Sequence, residues 1–388
     1  MAVTVRQLFK NAEQLYRAKL IAGEEGLENL VEWVHIVEDS EVGLFLHGGE
    51  LVFTTGIADG SDEWLMDFAK NLHESQASAF VINLDVYIPR VPDELMDYCN
   101  KIKMPLFTIP WETRQVDMTR DFCQKIIENE NTETSVASGL KNILFDVEDI
   151  GTQVTIMERH GYLENFYYNF ICVSTDTEYG TEEYFMEEKQ IKKILERLAK
   201  SLHEQYIFFR FREKLFFVLA EYAEVEKTYF YDEFFKLLSH CKLLAKVHIG
   251  VSPNIQGIKK QRANFDCSYA TNELAIKKGE KILFYDELGI DKIIMAVENK
   301  NILKKYFDDT IGKLQLYDKE NNSNLYDFLK EYLELDASPR AVSEKLFIHR
   351  NTVNNYLKKI DAVLGVESMD LEQKAKLLIA YHIADMLH

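Results

Sequence analysis

The spacing of apolar side chains along this sequence changes character twice, and each change marks a different kind of structure. Near the front, Glu50-Leu-Val-Phe-Thr-Thr55, Ala79-Phe-Val-Ile-Asn83 and Pro105-Leu-Phe-Thr-Ile109 are short, nearly continuous apolar runs rich in β-forming residues. Helical spacings separate them, such as Trp64, Leu65, Phe68 and Leu72 at i, i+1, i+4 and i+8. Strands without a polar face must be covered on both sides, so residues 1–130 read as a parallel α/β sheet with covering helices.

Residues 115–160 are polar and helix-compatible, which places a connecting helical segment at 131–160. Beyond it a new order begins. Asn169–Ser174 reads as a strand, Glu182–His203 as a helix, and Tyr206–Phe211 with Lys214–Leu219 as two strands around a tight turn. Helix Phe230–Leu244, strand Lys246–Val251, helix Ile258–Lys277 and strand Lys281–Tyr285 follow. Over residues 161–320 this βαββαβ order is the split, ferredoxin-like α+β arrangement of nucleotide-cyclase palms. Asp318–Asn324 reads as a linker, and residues 325–388 as an all-α domain with helices at Leu325–Leu335, from Ser338-Pro339 onward, and at Asp370–Leu387. The fold class is thus multidomain, α/β then α+β then all-α, as a length of 388 residues requires.

Composition narrows the function. The five cysteines are scattered with no Cys-x-x-Cys pair, so neither a zinc site nor a disulfide framework is written here, and no cofactor is implied. The longest apolar runs, such as Leu215–Ala220, are far too short to span a bilayer, and the N-terminus shows no signal peptide; the expectation is a cytoplasmic protein with no membrane partner. A net charge of −19 argues against wholesale coating of nucleic acid. Yet Ser338–Ile360 carries five basic side chains (Arg340, Lys345, Arg350, Lys358, Lys359) against Glu344 alone, a net of +4. That island is the one stretch suited to a polyanion.

The same stretch carries the clearest motif. Apolar residues at 342, 346, 348, 353, 357 and 360 let two short crossed helices share one small core, which is helix-turn-helix spacing. His349, Arg350, Asn351, Thr352, Asn354, Asn355, Lys358 and Lys359 fall off that stripe. Arg pairs bidentately with guanine, Asn with adenine, and Thr and Lys meet phosphates, so these residues together with Arg340 are the candidate contacts to double-stranded DNA. One position departs from the common pattern: Phe347 stands where the turn often has Gly.

Leu346-Phe-Ile-His-Arg-Asn-Thr-Val353, with Tyr356-Leu357 and Leu364-Gly365, resembles the C-terminal helix-turn-helix of PucR-type (purine catabolism) regulators. At the front, Ile21–Leu27, Val31–His35, Gly48–Gly56 and Met104–Pro110 resemble that family's N-terminal sensory domain, and the middle resembles its degenerate GGDEF-like domain. The resemblance implies a bacterial cytoplasmic transcription factor whose DNA binding is modulated by a small nitrogenous metabolite, often a purine-degradation product. In open sheets ligands sit beyond the carboxyl ends of the strands, which here offer Thr54, Thr55, Asn83, Asp85, Trp111 and Glu112 as candidate effector contacts.

An enzyme is the rival class, since a palm domain could make a cyclic dinucleotide. Such catalysis needs glycines in the hairpin and carboxylates for metal ions. The hairpin Phe209–Phe216 has no glycine, and Glu213 is its only carboxylate. His47 and Glu50 are two ligands and not a metal site, and His35 reads as a strand residue. The many Phe and Tyr fall inside apolar strands, which favours core over single-stranded RNA stacking. One helix-turn-helix reads few base pairs, so a homodimer or higher even-numbered oligomer is expected.

Overall fold

The computed structural model describes residues 3–39, 46–84, 86–147, 149–203, 205–297, 299–366 and 369–387. The chain divides into two compact units, one of Met1–Phe170, Thr177–Lys246 and Asn254–Ala263, the other of Ile171–Asp176, Val247–Pro253 and Asn264–His388.

In the first unit the three apolar runs are the parallel strands Glu50–Thr54, Ala79–Leu84 and Leu106–Pro110. They lie in a five-stranded sheet ordered Lys19–Ala22, Leu106–Pro110, Ala79–Leu84, Glu50–Thr54, Trp33–Ile36, in which Lys19–Ala22 alone pairs antiparallel. The two edge strands have four residues each and are partly exposed, so no apolar run announces them. Helix Asp62–Glu74 buries Leu65, Phe68, Ala69 and Leu72, and Ser61 caps it by accepting the Trp64 backbone N–H at 3.3 Å. That helix and Asp93–Ile102 seal one face of the sheet, while Val5–Phe9 and Met118, Phe122 and Ile126 of the long helix Gln115–Phe145 seal the other. The central strands are buried on both faces, as their sequence demands.

The middle of the chain runs as strand Tyr167–Thr175, helix Glu182–Leu202, hairpin Tyr206–Phe211 and Lys214–Ala220, helix Glu224–His240 and strand Val247–Val251, the βαββαβ order. In the first unit Tyr206–Phe211 and Lys214–Ala220 pair antiparallel; in the second, Val247–Val251 pairs antiparallel with residues 171–175 and parallel with Ile282–Phe284. The second of these helices begins six residues before the expected Phe230. Its first turn is polar and carries no periodic signal, but the Glu226 carboxylate accepts the Ala223 backbone N–H at 2.7 Å and fixes the start.

In the second unit, helix Gln261–Lys278 lies against Val247–Val251 at very short range. A Cβ on Gly250 would sit 2.2 Å from the Asn272 backbone nitrogen and 2.5 Å from the Ser268 carbonyl oxygen. Asn272 uses that closeness: its amide donates to the His248 carbonyl at 2.7 Å and the Cys172 carbonyl at 3.3 Å, and its oxygen accepts from the Ser174 hydroxyl at 3.2 Å. Farther along, Leu303, Phe307, Ile311 and Leu314 share one core with Leu329, Val342, Val353, Ile360, Leu377 and Ala384. The helical core therefore starts upstream of the expected Asp318–Asn324 linker, whose first four residues are the end of helix Lys313–Asn321. From that helix the Asp318 carboxylate accepts the Leu325 and Tyr326 backbone N–H groups at 3.0 and 2.7 Å and so starts the next helix, Leu325–Glu334.

Gly250→Ala leaves no room for its methyl between strand and helix backbones. Urea denaturation of the full chain is expected to show a loss of about 2 kcal/mol or more; a loss below about 0.5 kcal/mol would mean that the helix is free to slide.

Candidate nucleic-acid interface

Two helices carry the motif. Ser338 accepts the Ala341 backbone N–H at 3.3 Å and Pro339 takes the first position of helix Pro339–Lys345, where a missing N–H is harmless. The second helix, Arg350–Leu364, is capped at its start by His349, whose Nδ1 accepts the Asn351 backbone N–H at 3.2 Å, and is ended by Gly365 at φ 70°. Between them the Ser343 hydroxyl donates to the Ile348 carbonyl at 2.6 Å, and the Ile348 N–H donates to the Ser343 carbonyl at 3.2 Å. One serine thus pins the turn from both sides. Val342, Val353 and Ile360 are fully buried and Ile348 and Leu357 partly so, the seam that the spacing predicted. Leu346 departs from it, with 37% of its surface exposed, because it is the C-cap residue where the chain leaves the helix.

Opposite the seam, Arg350, Asn351, Asn354, Asn355 and Lys358 are exposed, and Thr352 is half-buried. Among the described residues neither Arg350 nor Lys358 has an ion pair, so both keep their charge for a ligand. Arg350 opens the helix, where the backbone dipole adds to an anion's attraction. Arg340 is exposed and pairs with Glu344 at 2.9 Å, a surface contact that water largely screens. Lys345, within the same basic island, pairs with Glu331. Two of the candidate contacts also have partners within the chain. His349 spends a ring nitrogen on the cap, and Lys359 sits with its ammonium 5.3 Å from the Tyr317 ring, beside a groove of about 540 Å³ lined also by Leu316, Ala362 and Val363.

The front sheet ends in a second candidate site. Thr54 and Thr55 come together on a residue the sequence reading missed. The Glu38 carboxylate accepts the Thr54 hydroxyl at 3.0 Å, the Thr55 hydroxyl and N–H at 2.9 Å each, and the Gly56 N–H at 3.1 Å. Asn83 is buried, and its side-chain oxygen has no partner among the described residues. Trp111 is exposed and meets Tyr87 edge to face at 5.8 Å, with Ile57 and Val86 also exposed on the neighbouring loops. Glu112 is exposed on the same side of the sheet, and Asp85 lies outside the described residues. Polar groups at the strand ends rimmed by exposed apolar side chains are the makings of a small-molecule site.

The hairpin of Tyr206–Phe211 and Lys214–Ala220 turns through Arg212, at φ 55°, and Glu213. On its first strand Arg210 pairs with Glu188 of the preceding helix. Burial pushes the Glu196 carboxyl up to about 7 despite the Lys192 ammonium 3.6 Å away, but this acid is enclosed within helix Glu182–Leu202, away from solvent and from the hairpin turn. The His47 backbone N–H donates to the Glu50 carboxylate at 2.8 Å. Among the described residues no group of three or more His, Cys, Asp or Glu is placed to hold a metal ion, and no helix is long and apolar enough to cross a membrane.

Comparison with known proteins adds independent findings. The model of the purine catabolism regulatory protein-like family, PucR, matches residues 8–126, and that of the PucR C-terminal helix-turn-helix domain matches residues 325–383. Among curated proteins of Bacillus subtilis (strain 168), the chain is 27% identical over 104 residues to the DNA-binding transcriptional activator AdeR, covering 27% of this chain and 25% of AdeR. It is 26% identical over 150 residues to the proline-responsive transcriptional activator PutR, covering 37% and 36%. It is also 23% identical over 181 residues to the purine catabolism regulatory protein, covering 42% and 34%. The matches span only about a quarter to a third of these relatives' lengths. A solved structure, the regulator of polyketide synthase expression from Bifidobacterium adolescentis, aligns at 16% identity over 66% of this chain and 93% of its own, with a TM-score of 0.29, too low to carry an argument about fold. The chain thus carries a front region similar to the PucR family and, at its other end, a region similar to the PucR C-terminal helix-turn-helix domain.

Proposed function

We propose that this chain is a cytoplasmic, sequence-specific DNA-binding transcriptional regulator controlled by a small nitrogenous metabolite. The observation that carries the reading is the exposed side of helix Arg350–Leu364 over residues 350–360, a stretch without a carboxylate, with Arg350, Asn351, Asn354, Asn355 and Lys358 held over the buried Val342, Val353 and Ile360 seam. The match of residues 325–383 to a helix-turn-helix domain supports it. In this reading residues 1–130 sense the effector, 131–160 connect, 161–320 form a ferredoxin-like, degenerate GGDEF-like domain without catalysis, and 325–388 bind DNA. The glycine-free hairpin supports a relaying palm over a cyclic-dinucleotide enzyme.

Arg350→Ala is expected to weaken binding to a duplex selected from a randomised library by about 1 to 3 kcal/mol, with far less effect on non-specific DNA. Lys358→Ala is expected to weaken all duplexes alike and to flatten the salt dependence by about one unit of slope. Fluorescence anisotropy at several salt concentrations separates the two, and unchanged affinity in Arg350→Ala would remove the recognition-helix assignment.

The effector is placed over the front strand ends, at Thr54, Thr55, Asn83, Asp85, Trp111 and Glu112. Its class is a purine catabolite or a related compound such as an amino acid, a range supported by relatives named for purine catabolism and for proline. A thermal-shift screen of such compounds on the full chain finds the binder. Thr55→Val is then expected to abolish that shift and leave DNA affinity intact; a shift retained at full size would move the site elsewhere.

One helix-turn-helix contacts too few base pairs for useful specificity, so the active form is a homodimer or higher even-numbered oligomer. Light scattering at micromolar protein is expected to give at least twice the mass of one chain. A single-chain mass, with one chain per selected duplex, would exclude this assembly.

A further inference from the structure

We propose that Phe347 is itself a DNA contact, presenting an apolar ring to the deoxyribose edge or a thymine methyl of the bound duplex. The inference rests on the DNA-binding reading above and names a residue that the reading does not use. Its motive is a side chain that is unfavourable twice over in the free protein. Phe347 lies at φ 54°, the left-handed region where a Cβ is strained and Gly is preferred. Its ring is 95% exposed, so nothing within the chain offsets that strain by burial.

The chain shows how unusual the choice is. Ten other non-glycine residues are described at positive φ: Arg17, Gln76, Lys103, Asp146, Arg212, Glu221, Lys242, Asn322, Asp336 and Ala337. All are polar, charged or small, the ordinary occupants of turns and helix ends. Among the described residues Phe347 alone puts a large apolar group there.

Position argues for DNA as the occupant. The turn is locked by the paired hydrogen bonds between Ser343 and Ile348, so the ring is offered at a fixed place three residues before Arg350. From Lys345 to Ile360 the sequence contains no carboxylate. An apolar patch on a protein partner would leave Arg350 and Lys358 beside it unpaired, whereas a duplex supplies phosphates for them and sugars and methyl groups for the ring. Strain held at a site of contact, with function as its return, is a recognised pattern.

Stability and binding should therefore move in opposite directions. In the full-length protein, Phe347→Gly is expected to raise the melting temperature by roughly 2 °C and to weaken binding to the library-selected duplex on the order of tenfold. Phe347→Ala keeps the backbone strain and loses the ring, so it is expected to weaken binding similarly without stabilising the fold. Replacing thymines one at a time by deoxyuridine separates the two sources: a methyl contact makes one position sensitive in the wild type and insensitive in Phe347→Gly, and a sugar contact makes none. If both Phe347 variants bind as the wild type while Arg350→Ala does not, this inference falls and the DNA-binding reading stands. If the wild type selects no sequence, or Arg350→Ala binds equally well, the recognition-helix reading falls and takes this one with it. If the Phe347 variants instead change the mass in light scattering, the ring serves a second copy and the inference is overturned.

Discussion

Everything the C-terminal end presents depends on the burial of Val342, Val353 and Ile360. Helix Pro339–Lys345 has seven residues, well below the length at which a helix persists by itself in water. Its capping by Ser338 contributes about 1 kcal/mol, too little to order it alone. What holds it is the shared apolar seam, and that seam rests on a larger core running from Ile294 to Ala384. The helices upstream of residue 325 are therefore the footing of the motif. Fixing the second helix fixes which of its side chains face outward, and with them the chemistry that can meet a groove.

Charge works on a shorter scale than the net value suggests. The chain carries −19 overall, yet at physiological salt fields fade over about 8 Å, so an anion at the start of helix Arg350–Leu364 feels chiefly the local residues. There the absence of carboxylates from 345 to 360 matters more than the number of cations. Several of those cations are engaged: Arg340 with Glu344, Lys345 with Glu331, and Lys359 over Tyr317. Arg350 and Lys358 remain without an ion pair among the described residues, which leaves their charge the least neutralised in the island.

How much of this was legible follows from what each signal requires. The parallel strands at 50–54, 79–84 and 106–110 lie within a residue of their apolar runs, because a strand buried on both faces leaves no other choice. Strands Lys19–Ala22 and Trp33–Ile36 sit at the sheet edges and half in water, so their sequence bears no such mark. Helix Glu224–His240 starts ahead of its periodic signal because its first turn is held by a cap and buries little apolar surface. The seam residues 342, 353 and 360 were readable from spacing. Leu346 was not, since spacing cannot tell the last residue of a helix from the first of a turn. The Lys359 contact with Tyr317 has no mark in the local sequence, because the ring lies on another helix far upstream.

Glu38 shows the same limit at the front of the chain, and it changes what the Thr54-Thr55-Gly56 sequence means. Read alone, two hydroxyls and a glycine at a strand end are donors awaiting a ligand. In the fold they already converge on a carboxylate, with both hydroxyls and the Thr55 and Gly56 N–H groups donating to it. Hydrogen bonds to a charged acceptor are each worth about 1.5 to 3 kcal/mol, so the cluster clamps the loop after Glu50–Thr54 to the stretch after Trp33–Ile36. Gly56 is part of that clamp, since a Cβ at its φ of 71° would lie 2.5 Å from the Ile88 side chain. The strand ends are thus a prearranged polar floor, beside which the Asn83 side-chain oxygen has no partner among the described residues and the Trp111 ring is exposed.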